Sequence, residues 1–253
     1  MQIQLPQPMS LSFCIIAKNE SEVIAGALES IKHVADEVIV GIDDLTTDDT
    51  EYIVRKFGIE PFYFHWINNF AWVRNLTIDR AKCDHIFVID PDERLTQQGH
   101  QLINILKNQS DIWNDSFAFN IKNIKRNGEL IKVTLGPVRL FPNRPEIRYQ
   151  FPMHETLMNL GTIRYMTFEA LDHVGFDSTL QKVPDRIDRN ERMLIERILQ
   201  NFEDADSWRY LAYWYRFIGS YDQAAICAKE ALRLPGEFNP VDYEQLGVIV
   251  TGV

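Results

Sequence analysis

Three runs decide the fold: LSFCIIA at 11–17, EVIVGID at 37–43 and DHIFVID at 84–90. Each is an apolar stretch of strand length, rich in Ile, Val and Phe and closed by a polar residue, which is how a strand buried on both faces reads. Between the first two lies KNESEVIAGALESIKHV (18–34), where Val23, Ile24, Ala27, Leu28 and Ile31 recur at helical spacing. Asn19 or Ser21 is placed to cap that helix. A second helix is expected from Asp48, with Glu51 three residues on as its capping-box partner. A short strand, EPFYF (60–64), and a helix over about 69–81 follow. Buried strands joined by helices imply parallel crossovers and a doubly wound α/β sheet. Ligands of such sheets collect at the carboxyl ends of the strands. Lys18-Asn19-Glu20, Asp43-Asp44 and Asp90-Pro91-Asp92-Glu93 all follow strands, so they are expected to face one crevice.

The pattern changes after about residue 115. FAFNIKNIKRNGELIKVTLG (117–136) carries Asn127-Gly128 between alternating runs, a hairpin signal. VRLF, MHETLM and IRYMTFEALDHV add strand-like pieces, giving a mixed or antiparallel extension of the sheet. From about Gln181 the chain reads as helical. Trp208, Leu211, Ala212, Tyr215, Gly219, Tyr221, Ala224, Ala228, Ala231 and Pro235 match the spacing of one tetratricopeptide repeat, and Tyr243, Leu246 and Gly247 begin a second. So short a stack is expected to pack on the first domain, on a second copy or on further chain. The expected division is a first domain over 1–178 and a helical tail over 179–253, with a homodimer through the tail left open.

Composition narrows the function. The chain of 253 residues has 26 Lys plus Arg against 36 Asp plus Glu, a formal charge of −10. A net negative field disfavours nucleic acid, and no basic stripe with interleaved aromatics offsets it. The three cysteines, Cys14, Cys83 and Cys227, share no metal-binding spacing and suit a reducing compartment. No signal segment and no apolar run of membrane-spanning length is evident. The expected location is therefore cytoplasmic. The Asn-x-Ser/Thr triplets at Asn19, Asn75, Asn108 and Asn114 are then chance matches.

Asp90 and Asp92 form an Asp-x-Asp directly after an apolar strand. Isolated pairs of this kind are common on surface loops. At a strand end beside other polar strand ends, the same pair suits magnesium or manganese on a diphosphate.

AKNESEVIAGALESI, IVGIDDLTTDDT, WVRN and VIDPDE, then MHE and a later HVGF, resemble in that order family 2 glycosyltransferases of the GT-A fold, in particular soluble bacterial members with a tetratricopeptide-like tail. The resemblance runs from Leu11 to Leu234. It implies an inverting, metal-dependent enzyme that moves a sugar from a nucleotide-diphosphate donor, a UDP-sugar by preference, to a hydroxyl on a glycan, a lipid-linked saccharide or a peptide. By resemblance, Ala17, Lys18, Asn19 and Glu20 border the nucleoside and Asp43 accepts from the base. Arg74 faces the diphosphate, Asp90 lies near the ribose and metal, and Asp92 binds the metal. His173 is the candidate further ligand, and Glu155, with His154 beside it, is the candidate base. A glutamate inside an apolar strand needs a reason to be there. Lys182 and Arg189 are weaker candidates for the diphosphate. Leu45 stands where the family commonly has glycine, which questions the loop after Asp43, and Pro91 replaces a small middle residue. The competing reading is a non-catalytic nucleotide-sugar-binding or protein-interaction module working through its tail. A sugar-phosphate nucleotidyltransferase ranks lower, since KNES lacks the Gly-rich basic loop.

Overall fold

A computed structural model describes residues 8–109, 112–125, 127–174, 183–236 and 240–251. These fall into two compact units, Met1–Ser178 and Thr179–Val253.

The first unit is built on an eight-stranded sheet of order β3-β2-β1-β4-β7-β6-β10-β5. One half comprises β1 (Leu11–Ala17), β2 (Glu37–Asp43), β3 (Phe62–Phe64) and β4 (His85–Val88), all parallel. The helices α1 (Ile24–Ile31), α2 (Thr50–Lys56) and α3 (Phe70–Ile78) lie between them in sequence. The other half is mixed. It comprises β5 (Glu93–Leu95), β6 (Ser116–Ile124), β7 (Leu130–Pro142) and β10 (Ile163–His173), with α4 (Gln97–Lys107). β7 runs antiparallel to both β4 and β6, β10 parallel to β6, and β5 antiparallel to β10. A separate two-stranded ribbon joins β8 (Tyr149–Gln150) to β9 (Thr156–Leu157). The mostly parallel sheet with an antiparallel extension is the GT-A arrangement expected from the sequence.

β1 shows why the sheet is buried on both faces. Leu11, Phe13, Ile15 and Ala17 point into one apolar cluster with Ile24, Leu28 and Ile31 of α1. Cys14 points into the other, with Ile86, Val88 and Phe141 and with Ala71 and Ile78 of α3. Phe13 stacks on Phe87 at 4.8 Å between ring centroids, and Phe87 on Phe119 at 5.7 Å. This column crosses from the parallel half to the mixed half and fuses them into one core. Burial pushes the Cys14 thiol up to about 12, so it acts as a core apolar group.

Two helix starts differ from expectation. The N-cap of α1 is Val23, with no side-chain cap, because Asn19 and Ser21 are used elsewhere. Asn19 Oδ1 accepts the Thr47 N–H, and the Ser21 N–H donates to Asp48 Oδ2. Asp48 also accepts from the Thr50 N–H, while Asp49 is the uncapped N-cap of α2 and Glu51 pairs with Arg55. Long-range bonds between loops have displaced local capping. Burial raises the Asp48 carboxyl, but the bonds from Thr50 and Ser21 outweigh this and hold it below its ordinary value. The Asn127-Gly128 signal does close a hairpin: Gly128 has φ 86° and donates to Lys125 O, and β6 and β7 follow from it.

The second unit contains α5 (Val183–Gln200), α6 (Ala205–Phe217), α7 (Tyr221–Arg233) and α8 (Pro240–Thr251). Leu211, Ala212, Ala224, Ala228, Ala231 and Leu246, positions singled out by the repeat spacing, are buried. The alanine face of α7 lets the helices approach closely. Gly219 takes φ 82° at the α6–α7 turn, where a side chain would be strained. Asp204 caps α6, and Arg209 pairs with Asp242 of α8 at 2.8 Å.

Candidate active site

Because β1, β2 and β4 are parallel, the residues after them emerge at one edge of the sheet. Ala17 ends β1 and is buried. Asp43 ends β2 at only 2% exposure. Its Oδ1 accepts the Leu45 N–H at 2.8 Å, and its Oδ2 pairs with Lys18 Nζ at 3.1 Å. Leu45 has no positive φ, so the loop does without the expected glycine; the Asp43 side chain makes the turn. Asn19 does take the left-handed conformation, at φ 53°. The Glu20 N–H donates to Thr50 Oγ1, which laces the loop after β1 to the start of α2.

The turn after β4 is the charged centre of the site. The Asp90 N–H donates to Glu93 Oε2 at 2.9 Å, and the Glu93 N–H to Asp90 O at 3.0 Å. Asp90 Oδ1 receives Arg74 Nη2 at 2.9 Å, and Asp90 Oδ2 receives Arg139 Nη2 at 3.1 Å. Arg139 Nη2 also reaches Glu93 Oε1 at 2.5 Å. Burial pushes the Asp90 carboxyl up, yet both guanidinium groups outweigh it and hold it well below the usual carboxylate range. Glu93, 2% exposed, goes the other way: burial dominates over Arg139, and Asp90 adds to the rise, to about 7.

Arg74 stands on α3 because Asn69 caps that helix by accepting the Trp72 N–H. Its Nε donates to Glu155 Oε1 at 2.6 Å while Nη2 holds Asp90. Burial disfavours its charge, but Asp90 and Glu155 more than restore it. α3 also fixes the segment that bears Glu155. The Phe70 N–H donates to Pro152 O, and the Asn75 amide both donates to and accepts from the Tyr149 backbone. Glu155 is therefore not inside a strand as expected. It lies in irregular backbone just before β9, and Phe151 at φ 72° and His154 at φ 52° provide the bends. His154 is exposed, and its carbonyl accepts from Thr156 Oγ1.

β10 closes the far side. His173 pairs in register with Glu93 of β5, beside the Asp90–Glu93 turn. Its Nε2 lies 3.2 Å from Asp92 Oδ2, and its Nδ1 lies 2.9 Å from Asn123 Oδ1. Burial lowers the imidazole pKa, but Asp92 outweighs this and leaves it raised.

Asp90, Arg74, Glu155, Asp92 and His173 are thus brought together, and Asp43 at the end of β2 pairs with Lys18 after β1, the strand next to β4. The expected metal trio is not formed as such. Asp92 and His173 adjoin, but both Asp90 oxygens are engaged by arginines, which turns it into the hub of an ion network. Among the described residues no group of at least three His, Cys, Asp or Glu side chains is set to hold a metal. Lys182, and the Gly-Phe of HVGF, lie outside the described residues. Arg189 bonds the Asn190 side chain within the second unit.

Sequence reading missed Arg139, Asn123 and the structural use of Glu93. Arg139 carried a signal, since a charged residue inside the apolar run VRLF is 6% exposed and must be paired.

The pattern of glycosyl transferase family 2 matches residues 12–175. The chain belongs to that family. A TPR repeat-containing protein of Synechococcus elongatus is 34% identical over 57% of this chain and 34% of its own length. An uncharacterized glycosyltransferase of Rickettsia prowazekii is 38% identical over 35% of this chain and 30% of its own. The prophage-derived glycosyltransferase SunS of Bacillus subtilis is 25% identical over 78% of this chain and 46% of its own. The chain therefore spans less than half the length of these relatives. Among solved structures, S. aureus TarS 1–349 in complex with UDP-GlcNAc aligns with a TM-score of 0.56 at 15% identity, covering 96% of this chain and 84% of that one. That likeness is one of fold. Family membership supports a glycosyl-transfer role for the first unit.

Proposed function

We propose that this family 2 glycosyltransferase is an inverting, metal-assisted enzyme that moves a sugar from a UDP-sugar to an acceptor hydroxyl on a glycan, a lipid-linked saccharide or a peptide. The observation that carries the reading is the Arg74 bridge, which ties Glu155 at 2.6 Å to Asp90 at 2.9 Å and so sets a carboxylate beside the strand-end acids. On this reading Asp43, an acceptor-only carboxylate, meets the imide N–H of uracil. Ala17, Lys18, Asn19 and Glu20 line the nucleoside, with Asp90 near the ribose. Glu155 takes the proton of the attacking hydroxyl through Oε2, since Oε1 is held by Arg74. His154 is the next candidate for that proton. Arg74 faces the diphosphate while orienting the base, and Lys182 is a further candidate for phosphate contact.

Asp92 and His173 are the residues that would hold manganese or magnesium. A carboxylate with an imidazole fits such an ion, because phosphate oxygens and water commonly complete its shell. The bound ion supplies charge neutralisation at the leaving diphosphate. No described helix is long and apolar enough to cross a membrane. The reading puts the transfer in the cytoplasm, at the inner membrane face for a lipid-linked acceptor. It treats residues 1–178 as the catalytic domain and 179–253 as a tetratricopeptide-like tail.

One observation favours the competing reading of an interaction module. The tail carries an apolar groove lined by Ile195, Leu199, Phe202, Trp208, Leu211 and Ile226. That reading includes a homodimer through the tail, and it predicts partner capture without turnover. Incubating the protein with a panel of nucleotide sugars and manganese, and measuring released nucleoside diphosphate, separates the two. Release from a UDP-sugar supports transfer. Silence with every donor, together with a tail-dependent complex, overturns it.

A further inference from the structure

Arg139 lies outside every motif that marks the site, on a strand of the opposite half of the sheet. We propose that it is a positioning residue for the transfer, acting through Asp90 and Glu93 to fix the turn that presents Asp92. The inference rests on the donor-site reading above.

The geometry is that of a clamp. Pairing of Phe87 with Leu140 in the antiparallel β4–β7 ladder sets Arg139 level with the end of β4. One nitrogen, Nη2, then reaches Asp90 Oδ2 at 3.1 Å and Glu93 Oε1 at 2.5 Å. The remaining Glu93 oxygen accepts the Asp90 N–H, and the Glu93 N–H returns to Asp90 O. The turn from Asp90 to Glu93 is thus locked at both shoulders by side chain and backbone. Asp92 sits between the shoulders, its carbonyl accepting the Val174 N–H and its carboxylate beside His173. Asp90, held on one oxygen by Arg139, offers the other to Arg74, which holds Glu155. Arg139 therefore stands at the root of both chains, one leading to Asp92 and one to the candidate base.

A stability role alone accounts poorly for this arrangement. Among the described residues, Arg139 Nε and Arg74 Nη1 are buried without a hydrogen-bond partner. Such orphan donors carry a desolvation cost, which a fold shaped for stability alone would avoid by an apolar pair of similar size. Retaining them fits a demand for placement.

The test uses Arg139→Met, Arg139→Lys and Glu93→Gln in the full chain. UDP affinity is measured by calorimetry in the presence of manganese, beside the thermal midpoint of each protein. Loss of an outer support of this kind weakens a site by roughly 10–100-fold, so Arg139→Met should bind UDP at least about tenfold more weakly. Arg139→Lys, which keeps the charge without the fork, should recover part of the loss. Glu93→Gln provides one acceptor oxygen where two are used, and it should weaken binding even if Arg139→Met fails to fold. Failure of the unaltered protein to bind UDP overturns the donor reading and this inference together. Normal binding by the unaltered protein, matched by folded Arg139→Met or Glu93→Gln with only a lowered midpoint, overturns the inference alone.

Discussion

The two halves of the sheet divide the labour differently. The parallel half puts chemistry at its strand ends: Lys18 follows β1, Asp43 ends β2, and Asp90 with Asp92 follows β4. The mixed half contributes mid-strand or end-of-strand supports: Arg139 on β7, Asn123 on β6 and His173 on β10. The first set would touch ligand, whereas the second mostly touches the first set. A doubly wound half-sheet is therefore enough to gather acids in one crevice, and the extension is what fixes their orientation.

Breaking the parallel half should give the largest effect. On the proposed reading, Asp92→Asn should slow transfer on the order of 10³-fold with little change in fold, because several kcal/mol of metal-borne stabilisation would be lost; steady-state rates across a manganese titration check this. Outside that half, just before β9, Glu155→Gln should lose roughly 10²–10⁴-fold in kcat, the usual contribution of a general base, while UDP affinity stays within a few fold. Rates with saturating donor separate that outcome from a fold defect.

The next test concerns the seam between the halves. Phe87→Ala should cost about 3–5 kcal/mol in a denaturant titration, since Phe87 is fully buried and stacks on both Phe13 and Phe119. Asn123→Ala, in the mixed half, should leave stability closer to normal. It should still lower manganese-dependent transfer by roughly 10–100-fold, because Asn123 Oδ1 orients His173.

The smallest expected effect is a pH dependence in the loops of the parallel half. The folded-state pKa of Asp48 is depressed, so its contribution to stability is complete above the ordinary carboxylate value of 3.8 and is lost as pH falls through the folded value. Denaturant midpoints should fall more steeply on acidification for the unaltered protein than for Asp48→Asn. Equal slopes would assign the Asp48 bonds no net role.

The parallel half was legible because its strands are buried on both faces, so apolar runs, their lengths and the polar residues after them all carry the same message. Asp43, Arg74, Asp90 and Asp92 were found that way or through the family resemblance. The supports were harder to see. β7 is exposed over its first four positions and then alternates exposed and half-buried ones before becoming buried from Arg139, so the arginine's need for a partner shows only once that end of the strand is placed in the core. Asn123 shows no chemistry until His173 is placed beside it. The helix starts were misread for a related reason: Asn19, Ser21 and Asp48 are good local caps, but their side chains and backbone are taken by bonds between distant loops, which no local spacing reveals. MHETLM looks strand-like in the sequence, yet only Thr156–Leu157 pairs as a strand, and only the positive φ at Phe151 and His154 shows that the stretch before it bends.

Arg74 is a single rigid plank laid from Asp90 to Glu155, and this restricts how the enzyme can be retuned. Any exchange at position 74 disturbs Asp90 and Glu155 in the same stroke. Engineering toward a different donor or acceptor is better directed to the exposed Leu45 after β2, where the side chain can vary while the beam between the two carboxylates stays in place.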